Sequence, residues 1–212
     1  PLRAITGYTS ILEEDFADKL GLDGKVITDR INGGVAQMTS LINALLDFSR
    51  LGRKELVKSS VSFESLVDET SAAILEEQKD QQNIEFKIQK LPVAFADETL
   101  MRQVWSNLIS NAVKYSSKKS KSVVEIGRKA QEGGSIYYVK DNGAGFDMQQ
   151  YNKLFGVFQR LHSQSDFNGT GIGLALVEKI VVKHGGKIWA DAKVNEGATF
   201  YFSLPEYNEH SV

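Results

Sequence analysis

Asp141-Asn142-Gly143-Ala144-Gly145 follows a strand-like run, Ser135 to Val139, and its reading decides the fold. An ionised carboxylate only accepts hydrogen bonds. Buried beside a flat ring, Asp141 would accept one from an exocyclic amine and so select adenine over guanine. Gly143 and Gly145 permit positive φ and a close backbone approach. By itself Asp-Asn-Gly is also ordinary turn chemistry, and for this segment in isolation the turn is the stronger reading. The flanking segments change that balance.

Upstream stands Asn107-Leu108-Ile109-Ser110-Asn111-Ala112-Val113-Lys114-Tyr115, on a helix expected to start at an Asp97 cap and run to about Ser116. Asn107 and Asn111 are four apart and share a face, at the edge of the apolar arc of Leu100, Val104, Leu108 and Ala112. The Asn111 amide oxygen can serve Mg2+, which prefers oxygen ligands and keeps several waters. Asn107 can orient a water or nucleophile but is too weak a base to take a proton. Lys114 on the same face can reach phosphate, and Tyr115 can line the pocket. Alone, two helix-edge asparagines are better read as bonded to backbone.

Downstream, Gly169-Thr170-Gly171-Ile172-Gly173-Leu174 leads into a helix, Gly173 to His184. Successive amides at a helix N-terminus make an anion site. The spacing differs from the dinucleotide fingerprint and lacks the Gly-Lys-Ser/Thr end of a P-loop. Between the last two segments, Phe155-Gly156-Val157-Phe158-Gln159-Arg160 closes a stretch, 147–160, that reads as helical. Residues 161–168 have no periodicity and read as a lid, with Arg160 free to meet a terminal phosphate. Three such segments in this order, over roughly 70 residues, are hard to explain as packing. His162 and His184 read as structural histidines.

Composition limits the alternatives. With 42% hydrophobic residues among 212, the chain can form a real core. A net charge of -2 gives no electrostatic case for nucleic acid, and the absence of cysteine excludes disulfides and thiolate metal sites. No apolar run approaches the ~18 residues of a membrane span, so this stretch is expected to make no membrane contact and to be cytoplasmic. Residues 1–51 carry two helical seams separated by Gly21 to Gly24. One is Leu2, Ile5, Thr9, Leu12 and Phe16; the other is Ile31, Val35, Met38, Ile42 and Leu45. A single hairpin cannot cover such a seam, so a homodimer through residues 1–51, giving a four-helix bundle, is expected. Residues 52–60 read as a linker and 61–212 as a catalytic domain. Within it, 63–82 reads as helix, and Ile84–Ile88, Val123–Gly127, Ser135–Val139, Ile188–Ala192 and Thr199–Leu204 as strands. The expected class is an α+β two-layer sandwich with a mixed or antiparallel sheet and helices on one face.

Taken together these residues resemble the sensor histidine kinases of two-component signalling over nearly the whole chain. Asn107–Tyr115 is similar to the family's N box, Asp141–Gly145 to its first glycine box, Phe155–Phe158 to its F box, and Gly169–Gly173 to its second. Gly197-Ala198-Thr199-Phe200 is similar to its closing strand, which adds Thr199 to the nucleotide-binding set. The lid and the ending look closest to phytochrome-like or PAS-linked kinases. The resemblance implies the ATP-binding sandwich shared with gyrase and the large heat-shock chaperone, with ATP and Mg2+ as cofactors. It also implies γ-phosphoryl transfer to a histidine and then to an aspartate on a response-regulator receiver domain. In that scheme Asn107, Lys114 and Arg160 are catalytic, and Asn111 holds the metal. Asn107 stands where the related ATPases carry a glutamate base. The family's acceptor histidine lies five residues before a proline that matches Pro1, so no phosphoacceptor is expected in residues 1–212. Two rival readings remain: an ATPase clamp of the gyrase or chaperone type, and a nucleotide-free dimerisation scaffold.

Overall fold

The computed structural model describes residues 1–52, 55–77, 83–131, 134–163, 167 and 169–206. Its contacts divide the chain into two compact units, Pro1–Gly52 and Arg53–Val212.

The first unit is a helical hairpin of α1 (Leu2–Asp15) and α2 (Ala17–Leu51). The chain turns earlier than the glycines suggest. Phe16 leaves helical geometry at φ -126° and ψ 16°, and Gly21 at φ 60° is the one non-helical position inside α2. Gly21 reaches the left-handed region without a Cβ penalty. Gly24 stays helical, and a Cβ there would lie 2.7 Å from that of Leu20. Gly33 and Gly34 also stay helical, so they cost helix propensity, about 1 kcal/mol each, without breaking the helix. The seam between the two helices is partly polar. The buried Thr9 hydroxyl is 2.6 Å from Asn32 Oδ1, and Asn32 donates to Glu13 at 3.3 Å. The large apolar side chains face elsewhere: Ile5, Leu12, Phe16, Ile31, Met38, Ile42 and Leu45 are all exposed in the single chain.

The second unit is a mixed five-stranded sheet with helices on one face. Its strands are β2 (Ile84–Ile88), β4 (Ser122–Gln131), β5 (Gly134–Asp141), β7 (Gly197–Pro205) and β6 (Ile188–Lys193), in that spatial order. β2 and β4 are parallel; the other pairings are antiparallel. Side chains alternate between the faces of a strand, so register sets which residues meet. Ile126, Val139, Phe200 and Ala190 form one cross-strand row, and all four are buried. α3 (Phe63–Glu77), α4 (Glu98–Ser116) and α5 (Gly173–Lys183) pack together, with α4 and α5 also against the sheet. The fully buried Trp105 of α4 meets Phe63, Tyr137 and Phe202 with centroids 5.6, 6.0 and 5.1 Å apart. Such mixed edge-on contacts between rings add to the area they bury. The α+β sandwich expected from the sequence is the fold observed.

Two features depart from the sequence reading. A second, two-stranded sheet joins β1 (Ser59–Ser62) to β3 (Val93–Ala96), so β1 begins inside the stretch read as a linker. Both strands have four residues, too few for alternation to stand out. The helix expected over 147–160 is only a 3-10 helix, Met148–Lys153, capped by Asp147, whose carboxylate accepts from Gln149 at 2.9 Å. Tyr151, Phe155 and Phe158 imitate a helical period, but Phe158 sits at φ 62° and ends any helix. The helix read over 63–82 continues past α3 into 78–82, which lie outside the described residues, as do 164–166 and 168 of the lid. Among the described residues, no helix is long and apolar enough to cross a membrane.

Candidate nucleotide site

α4 positions one side of the site, and its start is firmly held. Asp97 Oδ1 accepts from the Leu100 amide at 3.1 Å, and Oδ2 accepts from the Val57 amide at 3.2 Å. The Asp97 amide donates to His184 Nε2 at 3.1 Å, while His184 Nδ1 faces the Ile180 carbonyl at 2.8 Å. That pattern requires a neutral imidazole. Burial in turn pushes the His184 pKa down, against the opposing pull of the Ile180 carbonyl. His184 therefore ties the end of α5 to the start of α4, the structural role the sequence suggested.

Asp141 is the last residue of β5. It shares the helix-side parity of Tyr137 and Val139, so the pleat that buries those two also buries its carboxylate, which belongs to a residue only 4% exposed. Oδ1 accepts from the Gly143 amide at 2.8 Å. Burial pushes the Asp141 pKa up to about 6, against the lowering effect of the Gly143 and Ala198 amides and of Lys119.

Glycines let backbone close around this carboxylate. A Cβ on Gly143 would lie 2.4 Å from the Tyr115 carbonyl oxygen. One on Gly145, at φ 56°, would lie 2.0 Å from the Lys193 carbonyl, and one on Gly197, at φ 108°, 2.0 Å from that of Asp141 itself. The Ala144 amide donates to Tyr115 at 3.0 Å, and the Asn195 amide donates to Ala144 at 2.6 Å. Asn142, given no role from sequence, fastens the loop to the start of β4: its Oδ1 accepts from the Val123 amide and its Nδ2 donates to the Lys121 carbonyl, each at 2.9 Å.

Asp141 and Gly145 line one cavity with Tyr115, Phe146, Arg160, His162, Leu174 and Phe200. Its lid side is a cluster of three rings. Tyr115 lies 5.2 Å from His162 and 5.0 Å from Phe167, and the latter two are 5.3 Å apart. Arg160 donates to the Phe167 carbonyl. The cavity holds about 50 Å³, well below the ~300–1,000 Å³ of ligand-filled pockets. His162, read as structural from sequence, is a wall of this cavity. No local pattern marked it, because its neighbours Tyr115 and Phe167 come from distant or aperiodic sequence.

The remaining predicted residues form a second, cationic zone around α4 and the glycine turn. Lys114 Nζ donates to Asn111 Oδ1 at 3.1 Å and lies 4.3 Å from the Tyr115 ring centre. Burial, and secondarily the Arg160 charge, bring the Lys114 pKa down to about 8. Burial raises that of Tyr115. A Cβ on Gly169 would lie 3.2 Å from Lys114 Nζ, and one on Gly173 2.5 Å from Asn107 Oδ1. The glycine turn is thus seated directly on the asparagine-lysine face. Gly171 takes φ 71° against the Phe158 and Gln159 backbone, the Thr170 hydroxyl faces the Ile172 amide at 3.4 Å, and Ile172 is fully buried. Two predicted residues stand apart from the cavity. Thr199 lies between the inward Ala198 and Phe200 and so faces the other side of the sheet. Phe155 packs on Tyr151 at 6.1 Å.

Comparison with known proteins agrees with this fold. Residues 96–208 match the family described as histidine kinase-, DNA gyrase B-, and HSP90-like ATPase, and the chain belongs to that family. Residues 1–54 match the His Kinase A (phospho-acceptor) domain. The chain is 33% identical over 97% of its length to phytochrome-like protein Cph1 of Synechocystis sp., and 37% identical over 97% to cyanobacterial phytochrome B of Nostoc sp.. It spans just over a quarter of each, 27% and 28%. Among solved structures it is similar to full-length ShkA in complex with AMPPNP, with TM-score 0.72, 26% identity, and coverage of 97% of this chain and 43% of that one.

Proposed function

We propose that this chain is the kinase core of a sensor histidine kinase, binding Mg-ATP and directing its γ-phosphoryl to a histidine. The observation that carries the reading is the buried, ionisable Asp141 at the floor of a cavity whose backbone walls close in only because Gly143, Gly145 and Gly197 lack Cβ atoms. Asp141 accepts from the adenine amine and excludes guanine, which presents an acceptor there. The chemistry of the second zone suits a triphosphate: Lys114 and Arg160 supply charge, and the amides of Gly169 to Gly173 supply donors at the start of α5. Because the cavity is narrower than a purine pocket, the side formed by Arg160, His162 and Phe167 moves outward to admit the base.

Asn111 offers an amide oxygen to magnesium. Among the described residues, no group of three or more acidic, histidine or cysteine side chains is placed to hold a metal ion. The ion would therefore keep mostly water and phosphate oxygens, as Mg2+ commonly does. Held there, magnesium would supply charge neutralisation for the triphosphate. Asn107 orients groups near the γ-phosphate without the basicity to activate water. Catalysis by such a site is positioning plus charge neutralisation.

The hairpin is the dimerisation and phosphotransfer element, and its exposed apolar seam is covered by a second copy. The receiver domain of a response regulator is the acceptor that follows the histidine. The clamp reading is weaker because Asn107 stands where a clamp needs a glutamate. Calorimetry of ATP binding to the wild-type chain and to Asp141→Asn tests the pocket. The expected result is at least a tenfold loss of affinity; equal affinity would remove Asp141 from the site.

A further inference from the structure

We propose that a second cavity, at the other end of β5, binds a small oxyanion: a carboxylate or a phosphate group. It lies at Gly134 and Ser135, where the strand starts, whereas Asp141 ends it, roughly 20 Å away along the strand. The two cavities share no lining residue.

Register builds the floor. Arg128 of β4 stands directly opposite Tyr137 of β5, which stands opposite Phe202 of β7. The next row is Ala130, Ser135 and Leu204. Arg128 has the same parity as the buried Val124 and Ile126, so it lies on the helix side of the sheet, not on its open face. Tyr137 is fixed by its ring contacts with Phe63 and Phe202, and its hydroxyl is hydrogen-bonded to Ser135. The opposite wall is Pro92 to Phe95, including the start of β3. Its volume is about 290 Å³, several times that of the cavity beside Asp141. It matches the lower end of small-ligand pockets, roughly 300 Å³.

Its polar groups point to an anion. Arg128 is half-buried and has no carboxylate partner among the described residues. A half-buried guanidinium without one is poorly compensated, and its planar fork of donors matches a carboxylate or phosphate. Ser135 donates to the Tyr137 oxygen, so this pair adds one further donor, the Tyr137 hydroxyl. Among the described residues, the one acid lining the cavity is Glu206, which is exposed and so solvated at the rim.

The test is an amide NMR titration of the full chain with succinate in one arm and inorganic phosphate in the other. At least one anion should shift Ala94, Ser135 and Leu204 saturably, with a Kd of about 1 mM or tighter. Shifts confined to Gly169–Gly173 would report the nucleotide site instead and count against the proposal. Arg128→Gln should weaken binding at least tenfold, and Tyr137→Phe, which keeps the ring, about threefold. Both variants should bind ATP as the wild-type chain does. No saturable shift around this cavity with either anion, or an unchanged Kd in Arg128→Gln, overturns the assignment.

Discussion

The Gly143 amide donates to the Asp141 carboxylate at 2.8 Å, yet that bond does not offset the cost of burial, and the acid's pKa stands near 6. A carboxyl group whose folded value lies above its ordinary 3.8 destabilises the fold when ionised. Below about pH 4 both states are protonated and there is no penalty; between 4 and 6 it develops; above 6 it is complete. The shift corresponds to about 3 kcal/mol. Asp141→Asn should therefore raise Tm at pH 7.5 and lose that advantage by pH 4. A Tm gain that does not shrink with acid would refute it.

With Asp141 in the proposed role, ATP affinity should fall as pH drops through 6, because a protonated carboxyl binds the adenine amine poorly. Lys114 should set the opposite limb. With its pKa near 8 it is partly neutral in the free protein at pH 8, and a bound triphosphate favours its charged form. Calorimetry at pH 8 in buffers of different ionisation enthalpy should show net proton uptake on ATP binding. No uptake, or uptake that survives Lys114→Met, contradicts a phosphate contact for Lys114.

Gly145 tolerates no side chain. Alanine there would hold a left-handed φ of 56° and press its Cβ to 2.0 Å from the Lys193 carbonyl. Gly145→Ala is expected to cost more than about 2 kcal/mol in urea unfolding. Gly33→Ala, a helical position with open space, should be neutral or stabilising by up to about 1 kcal/mol. The reverse order would show the backbone at the loop to be wrongly placed.

The exposed seam of the hairpin makes a separate prediction. Ile31 and Ile42 are 40% and 50% exposed in the single chain. Glutamate at both should convert a dimer to a monomer in light scattering while changing the second unit's ATP affinity little. A wild-type chain that is monomeric at high concentration would remove the dimer from the account.

Much of this was legible because the informative residues are short-range. Asn107, Asn111 and Lys114 sit one turn apart on a helix, and the glycines of both loops occur where backbone must approach backbone. The Asp97 cap and the strands of the five-stranded sheet follow local periodicity. What escaped notice depends on long-range register. β1 and β3 are four residues each and exist because they pair with each other. His162 meets Tyr115 only after the lid folds back. Thr199 was assigned by motif, but alternation along β7 turns its side chain from the cavity that Ala198 and Phe200 line. The aromatic spacing of the 3-10 segment resembles that of a helix, but Phe158 adopts positive φ and ends it.

The most direct measurement is a crystal structure of this chain with a non-hydrolysable ATP analogue and magnesium. The base should lie with its exocyclic amine on Asp141, displacing the His162 and Phe167 side of the cavity, and the phosphates should run along Gly169–Gly173 within reach of Lys114, with the ion at Asn111. Density for the base elsewhere, or phosphates away from the glycine turn, would contradict the site.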